Sequence, residues 1–300
     1  MEPRRLWSDA VASLRADSHL WRRALMAGIQ RGPAPFVRYS PPLFGLGFAA
    51  ALRPLREIVR ANLRLVYGPR AALVEARDIA RVFATYASSL TEAIQVAAQR
   101  GTIERHHAGT EHYFASAEGG RGVIMATAHT AGWEVAGHVL SGVHRGEVVV
   151  VMQRERDERA GELSDSFRER AGVKVVHLAG DSMDALTLLS HLRRGAALAM
   201  QFDRVKPGAR VREGRLFGEK WPVPEGMLRL AAASGAPILP VLTWRLGHLA
   251  YKAEVSAPIR LPRRPSEAEL DAAAQALLDA FAAFLRQHAT QWFHFVPRGG

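Results

Sequence analysis

Apolar and polar positions along this chain fall into two patterns, and they divide it near residue 120. Beyond that point short apolar runs alternate with stretches of helical period, the arrangement of an α/β fold. The runs at 123–128, 148–152, 173–178, 196–202 and 237–243 predict buried strands, and 251–255 predicts a strand near the edge. Run 123–128 is too short to cross a membrane and of the right length for such a strand. Helices are expected around 134–140, 155–171, 183–193 and 225–233. A last helix opens with Ser266 and Glu269 in capping-box spacing and carries Leu270, Leu277, Phe281, Phe284 and Leu285 on one face. The prediction is therefore a mixed, largely parallel central sheet flanked by helices.

Residues 1–70 read differently. The segment Pro41 to Leu52, PPLFGLGFAAAL, is uncharged and is followed by RPLREIVRANLRLVYG. Twelve residues cannot span a bilayer as a helix but can lie in its interface. Arg53, Arg56, Arg60 and Arg64 would form one face of the helix that follows, turned either to lipid phosphates or simply to water. We read 1–70 as a basic amphipathic helical, membrane-associating extension and 71–300 as a single α/β domain, with no internal repeat or clear linker.

Composition sharpens this reading in three ways. The 300 residues include no cysteine, which removes disulfides, thiolate metal sites and a thiol nucleophile. The formal charge is +11, and residues 1–70 hold twelve arginines and no lysine against four acids, a net +8. Such a basic end points to a polyanionic partner: nucleic acid, an anionic membrane or an acidic carrier protein. The first residues carry charges throughout and no apolar core, so a secretory signal is not expected and the chain is expected to stay in the cytoplasm.

The candidate chemistry lies where strands end. GVIMATAHTAGWEVAG places His129 just past the first run, followed by Gly132 and the apolar positions Trp133, Val135, Ala136, Val139 and Leu140 of a new helix. Open α/β sheets put their ligand crevices at that edge. Glu134, in the first helical turn, is positioned to fold back on the imidazole, fix its tautomer and leave the other nitrogen free as a base; it is equally a residue favoured by the helix dipole alone. Gln153 and Arg154 follow the second strand, and Asp203 and Arg204 the fourth, so these residues converge on one sheet edge. Arginine there can bind phosphate or stabilise an oxyanion. Asp203 can hold Arg204 or Arg154, or bind the polar head of a substrate.

Other constellations are weaker. His106, His107, Glu111 and His112 lack metal-ligand spacing, so no metal is expected. Residues Arg212 to Leu216 do not form a phosphate loop, and neither GxxxxGK nor a strand-linked GxGxxG is present, so nucleotide binding is not expected. No nucleic-acid-binding module is present either, and no nucleic-acid partner is expected.

His129-Thr-Ala-Gly-Trp133-Glu134 resembles the HxxxxD/E motif of glycerolipid and lysophospholipid acyltransferases. Its Trp-Glu ending is similar to that of the bacterial lipid A biosynthesis acyltransferases, the lauroyl and myristoyl transferases. Further segments resemble that family in order: ANLRLVYG at Ala61 to Gly68, VVMQRE at Val150 to Glu155, LRRGAALAMQFDR ending at Arg204, and Phe217-Gly218 followed by Pro224, Gly226 and LAAASGAPILPV. The tail QWFHFVPR completes the series. The resemblance covers roughly residues 20 to 298.

It implies a glycerolipid acyltransferase-like fold and acyl transfer from a thioester, usually of acyl carrier protein and alternatively of CoA, to a hydroxyl of a membrane lipid. No metal, other cofactor or covalent acyl-enzyme is implied. His129 is then the general base and Glu134 its orienter. Arg154, Asp203 and Arg204 would bind substrate or anionic charge, and Phe217, Gly218 and Trp221 would line the acyl site. Partners implied are acyl carrier protein, an anionic membrane surface and a lipid acceptor, at the cytoplasmic face of the bacterial inner membrane.

Three departures bear on the acceptor and the anchor. The apolar segment is shorter than the family's anchor, which implies peripheral attachment; Arg204 stands where a glutamine is expected; and the tail lacks an arginine cluster. A lipid A precursor is the first acceptor expected, with a phosphatidylinositol mannoside, ornithine lipid or lysophospholipid as alternatives. A non-catalytic basic protein binding anionic lipid is the alternative from a different class.

Overall fold

A computed structural model describes residues 26–118, 120, 122–133, 144, 146–153, 165, 173–178, 182–206 and 208–297. Among the described residues, 26–31 are helical and are followed by α1 (Ala34–Tyr39), α2 (Pro41–Ala51), α3 (Arg53–Tyr67) and the long α4 (Ala72–Ala97). Then follow β1 (Glu104–Ala108), α5 (Thr110–Ala117), β2 (Val123–Thr127), β3 (Val148–Gln153), β4 (Lys174–Leu178), α6 (Ser182–Arg193) and β5 (Ala197–Gln201). The chain continues through β6 (Val211–Leu216), β7 (Glu219–Pro224), α7 (Glu225–Ser234), β8 (Ile238–Gly247), β9 (Ala250–Val255) and α8 (Glu267–His288) to a 3-10 turn, Ala289–Gln291.

Seven strands form one sheet in the order β1-β9-β8-β2-β5-β3-β4, parallel except for the β8/β9 hairpin. The mixed, largely parallel sheet flanked by helices is thus the observed fold. Every position of β2 is buried, as expected of a strand covered on both faces, where alternation gives way to a continuous apolar run. Strand β9, expected near the edge, lies one strand in, because β1 pairs outside it. ERHHA carries no apolar run and is almost wholly exposed, so hydrophobic patterning gave no sign of this edge strand. Expected helices 134–140 and 155–171 fall on residues outside those described, apart from Asp165.

Two helices form where local chemistry asked for them. In α8 the Ser266 hydroxyl accepts from the Glu269 N–H, and the Glu269 carboxylate accepts from the Ser266 N–H at 2.7 Å, so both arms of the capping box are made. Its apolar face then buries Leu270, Leu277, Leu278, Phe281 and Leu285 completely. At ~1.5–3 kcal/mol for each large apolar side chain, this face contributes on the order of 10 kcal/mol as an upper bound. Helix α7 stops at Gly235, whose φ of +73° provides the left-handed C-terminal residue.

Helices α2 and α3 are tied to α4 rather than set apart from it. Val59 and Leu63 of α3 share one apolar cluster with Ala49, Ile79, Val82, Phe83, Ala131, Ala289 and Phe293. The expected arginine face of α3 is largely satisfied within the protein. Arg56 donates to the Ala50 carbonyl at 2.5 Å and also to that of Ala49, capping the end of α2. Arg64 grips Glu75 through 2.7 and 2.9 Å bonds, and Arg60 lies 3.6 Å from the same carboxylate. Bonded first by Arg64, Glu75 has its carboxyl held down at about 2. Helices α1 and α2 leave Phe36, Tyr39, Leu43, Phe44 and Leu46 exposed, Leu43 at 67% and Phe44 at 56%. Among the described residues no helix is long and apolar enough to cross a membrane.

Candidate active site

Strands β2 and β5 run side by side in parallel with Thr127 opposite Gln201. The pairing continues past their ends, since the Phe202 N–H donates to the Thr127 carbonyl at 3.0 Å. Two residues beyond that register pair lie His129 and Asp203, again 74 positions apart. Equal register therefore delivers an imidazole and a carboxylate to the same point on the carboxyl edge of the sheet.

There they bond. His129 Nδ1 is 2.8 Å from Asp203 Oδ1, and the His129 backbone N–H donates to the same oxygen at 3.2 Å. Oδ2 accepts from the Trp292 indole N–H at 2.9 Å. Asp203 is 1% exposed. Burial alone would raise its carboxyl, but the charge and hydrogen bond of His129, together with Arg204, outweigh it and hold Asp203 well below the carboxylate range. An ionised carboxylate on Nδ1 selects the tautomer with the proton there and leaves Nε2 an acceptor. Nε2 has no hydrogen-bond partner among the described residues, and the His129 side chain keeps 17% of its surface open. Trp133 lies beside the ring, 5.9 Å between centroids.

The turn carrying His129 is held from two directions. From below, Gly132 takes φ of +91°, and a Cβ there would sit 2.6 Å from the Tyr251 ring, so glycine satisfies both backbone and space. Tyr251 is fixed in turn by the buried Glu92 of α4, which accepts its hydroxyl at 2.6 Å, Arg245 at 2.6 Å and His248 at 3.2 Å. From the side, the chain after α8 lies antiparallel to the turn. Thr130 bridges Trp292, the Ala131 N–H donates to the Gln291 carbonyl at 3.0 Å, and the Phe293 N–H donates to the His129 carbonyl at 2.7 Å.

Behind this segment Asn62 of α3 donates to the His294 carbonyl at 2.8 Å. The motif segments ANLRLVYG and QWFHFVPR, 232 residues apart at this bond, thus meet behind the site. Buried His294 has its imidazole pushed down to about 4, by desolvation first, with Arg204 and His129 adding and Asp203 opposing.

The expected residues take the following places. His129 and Asp203 come together; the carboxylate on Nδ1 is Asp203, and Glu134 lies outside the described residues, as does Arg154. Asp203 bonds the imidazole, and among the described residues no guanidinium is hydrogen-bonded to its carboxylate. Arg204 follows it and donates to the Phe293 carbonyl, with burial lowering its guanidinium. Phe217 and Gly218, at φ +51° and +85°, are the two central residues of the β6/β7 hairpin, the geometry of a type I′ turn. Phe217 packs under Arg286. Trp221 is a buried core residue, its ring 5.5 Å from those of Trp292 and His294. Trp292, with the whole QWFH segment, is the part that residue-level reasoning did not place.

A strand-end imidazole with a buried carboxylate on Nδ1, and no partner for Nε2 among the described residues, can draw a proton from a hydroxyl or a water. Residues 22–298 match the family model for bacterial lipid A biosynthesis acyltransferases. The chain belongs to that family, and it is an acyltransferase. It is 28% identical over 265 residues to a phosphatidylinositol mannoside acyltransferase of Mycolicibacterium smegmatis, covering 85% of this chain and 84% of that one. A protein of the same name from Mycobacterium tuberculosis is 27% identical over 199 residues, 65% of this chain and 60% of that one. The crystal structure of the 1-acyl-sn-glycerophosphate acyltransferase of Thermotoga maritima matches 82% of this chain and 98% of its own, with 14% identity and a TM-score of 0.39.

Proposed function

We propose that this protein transfers a fatty acyl group from an acyl thioester to a hydroxyl of a membrane glycolipid, with His129 as general base and Asp203 as the carboxylate that orients it. The observation that carries the reading is the 2.8 Å bond between His129 Nδ1 and a fully buried Asp203, with Nε2 open. His129 Nε2 takes the proton of the acceptor hydroxyl as its oxygen attacks the thioester carbonyl. The Asp203 carboxylate stabilises the imidazolium so formed, which then returns the proton to the departing thiolate. Arg204 is committed to the Phe293 carbonyl. We therefore assign the donor's phosphate, or the anionic charge at the carbonyl, to Arg154, the next residue in sequence after β3.

The relatives named above support a phosphatidylinositol mannoside as acceptor; the family description supports a lipid A precursor as the second reading. Acyl carrier protein and acyl-CoA are the donors to be compared. The exposed apolar face of α1 and α2 supports attachment to the surface of a membrane, and we place it at the cytoplasmic face.

The test incubates the full chain with acyl carrier protein or CoA thioesters and each acceptor, and reads the added acyl mass by mass spectrometry. His129→Ala should lose all detectable transfer. Asp203→Asn should lose about 10²–10⁴-fold in kcat, the range for misplacing a general base or its orienter, and more than Glu134→Gln. Turnover retained in His129→Ala would sink the mechanism. An equal or larger loss in Glu134→Gln would return the orienting role to Glu134. Salt-dependent binding to anionic vesicles with no acyl product from any pairing would favour a basic lipid-binding protein instead.

A further inference from the structure

Asp203 can orient His129 only if its own carboxylate plane is fixed. Of the three donors to its carboxylate among the described residues, two come from His129 itself and share Oδ1. The third is the Trp292 indole N–H, alone on Oδ2 among the described residues, at 2.9 Å. Trp292 is 4% exposed, so no open water stands ready to replace that donor. Indole suits the place because it offers one donor and no acceptor on an otherwise apolar body. That body is clamped: its ring is 5.3 Å from Phe281, edge-on at 90°, 5.5 Å from Trp221 and 5.0 Å from His294. Its backbone bridges Thr130, the residue after the base.

Resting on the acyl-transfer reading above, we propose that Trp292 is a positioning residue, its indole N–H locking the Asp203 carboxylate so that Oδ1 faces His129 Nδ1, and that the segment Gln291 to His294 is thereby a working part of the active site. Without the N–H, Oδ2 is buried with no donor among the described residues. The carboxylate is then free to rotate toward other donors, and the imidazole loses the partner that fixes its tautomer. The loss falls on the proton-transfer step rather than on substrate binding.

The test compares Trp292→Phe with Trp244→Phe in the full chain, using hexadecanoyl-CoA and a phosphatidylinositol mannoside. Trp244 is also buried, among Phe284 and His288, so it controls for the loss of a large core ring. Trp292→Phe should lower kcat on the order of tenfold or more with KM for the donor little changed, as expected for one charge-assisted hydrogen bond removed. Trp244→Phe should leave kcat within about twofold, the scatter of a site not coupled to the chemistry. In protein labelled with ¹⁵N-histidine, the low-field Nδ1 proton assigned to His129 by its absence in His129→Ala should shift or broaden in Trp292→Phe and stay in place in Trp244→Phe.

If Trp292→Phe does not fold, benzothienylalanine incorporated at 292 keeps the ring shape and replaces the N–H by sulfur; the same kcat loss is expected. Unchanged kcat in the folded variant or the isostere, an equal loss in Trp244→Phe, or an unmoved His129 proton would each overturn the proposal. Turnover in His129→Ala would instead defeat the general-base mechanism above, and no acyl product from the unaltered chain would defeat the acyl-transfer reading, so these failures are distinct.

Discussion

At the scale of the residue, the chemistry gathers around one buried charge. Asp203 is kept ionised by the same neighbours that it organises, and the imidazole of His294 is kept neutral a short distance away. Protonating His294 in the folded protein adds a second positive group beside Arg204 in a desolvated place. Its pKa falls from 6.5 unfolded to about 4 folded, so between those values the unfolded chain binds more protons. The resulting stability is present in full above pH 6.5 and is lost as the pH drops toward 4, with a ceiling on the order of 3 kcal/mol. Urea unfolding at pH 7 and pH 4.5 should show this loss, and His294→Gln should flatten it. An unaltered slope in His294→Gln would assign the acid sensitivity to other groups. His129 was legible as a candidate base because a histidine just past an apolar run is distinctive. Its partner was not, because nothing local in QFDR indicates which neighbouring strand-end Asp203 will face.

At the scale of the element, the turn after β2 carries His129 and leaves little room for change at Gly132. Gly132 holds φ of +91° with the Tyr251 ring where a Cβ would go, and Tyr251 cannot retreat while Glu92 holds its hydroxyl. Gly132→Ala should therefore cost ~2–3 kcal/mol, about 1 from the positive φ and the rest from the contact. It should also lower kcat by displacing the backbone of His129. Thermal melting and steady-state kinetics on the same preparation read both effects. A stable variant with normal kcat would show that the turn relaxes at no cost. The strands β2, β3, β4, β5 and β8 and helices α6, α7 and α8 were all legible from apolar runs and period. Strand β1 and the β6/β7 hairpin were not. The first exists because β9 offers an open edge; the second reads as charged and glycine-containing sequence until α8 covers one of its faces. Phe217-Gly218 forms the hairpin's turn.

At the scale of the whole molecule, the exposed apolar side chains of α1 and α2 belong to different elements from those that carry His129 and Asp203. The α1/α2 face exposes five large apolar side chains, while Arg56, Arg60 and Arg64 of α3 are engaged with partners of their own. The apolar residues rather than this arginine stripe should then dominate binding to lipid. Leu43→Ser with Phe44→Ser should weaken binding to vesicles of mixed zwitterionic and anionic lipid by about tenfold per residue, given ~1.5 kcal/mol or more for each apolar side chain withdrawn from water. Replacing Arg64 by Gln should instead lower thermal stability through Glu75. Sedimentation with liposomes measures the first and differential scanning fluorimetry the second. Full vesicle binding by the double serine variant would move the attachment surface elsewhere.

The strand-and-helix alternation, the buried central strands, the capped last helix, a histidine at a strand end and the ordered motifs of the family can all be read along the chain. Each rests on local information: burial leaves its period in the chain, and a motif keeps its spacing. Only the tertiary structure decided that Asp203 meets His129, that Asn62 meets His294 across 232 residues, and that Trp292 donates to the buried carboxylate. Those pairings follow from which strands become neighbours and in what register, and from where the chain goes after α8. Both are outcomes of packing the whole core, and no short stretch of residues encodes them.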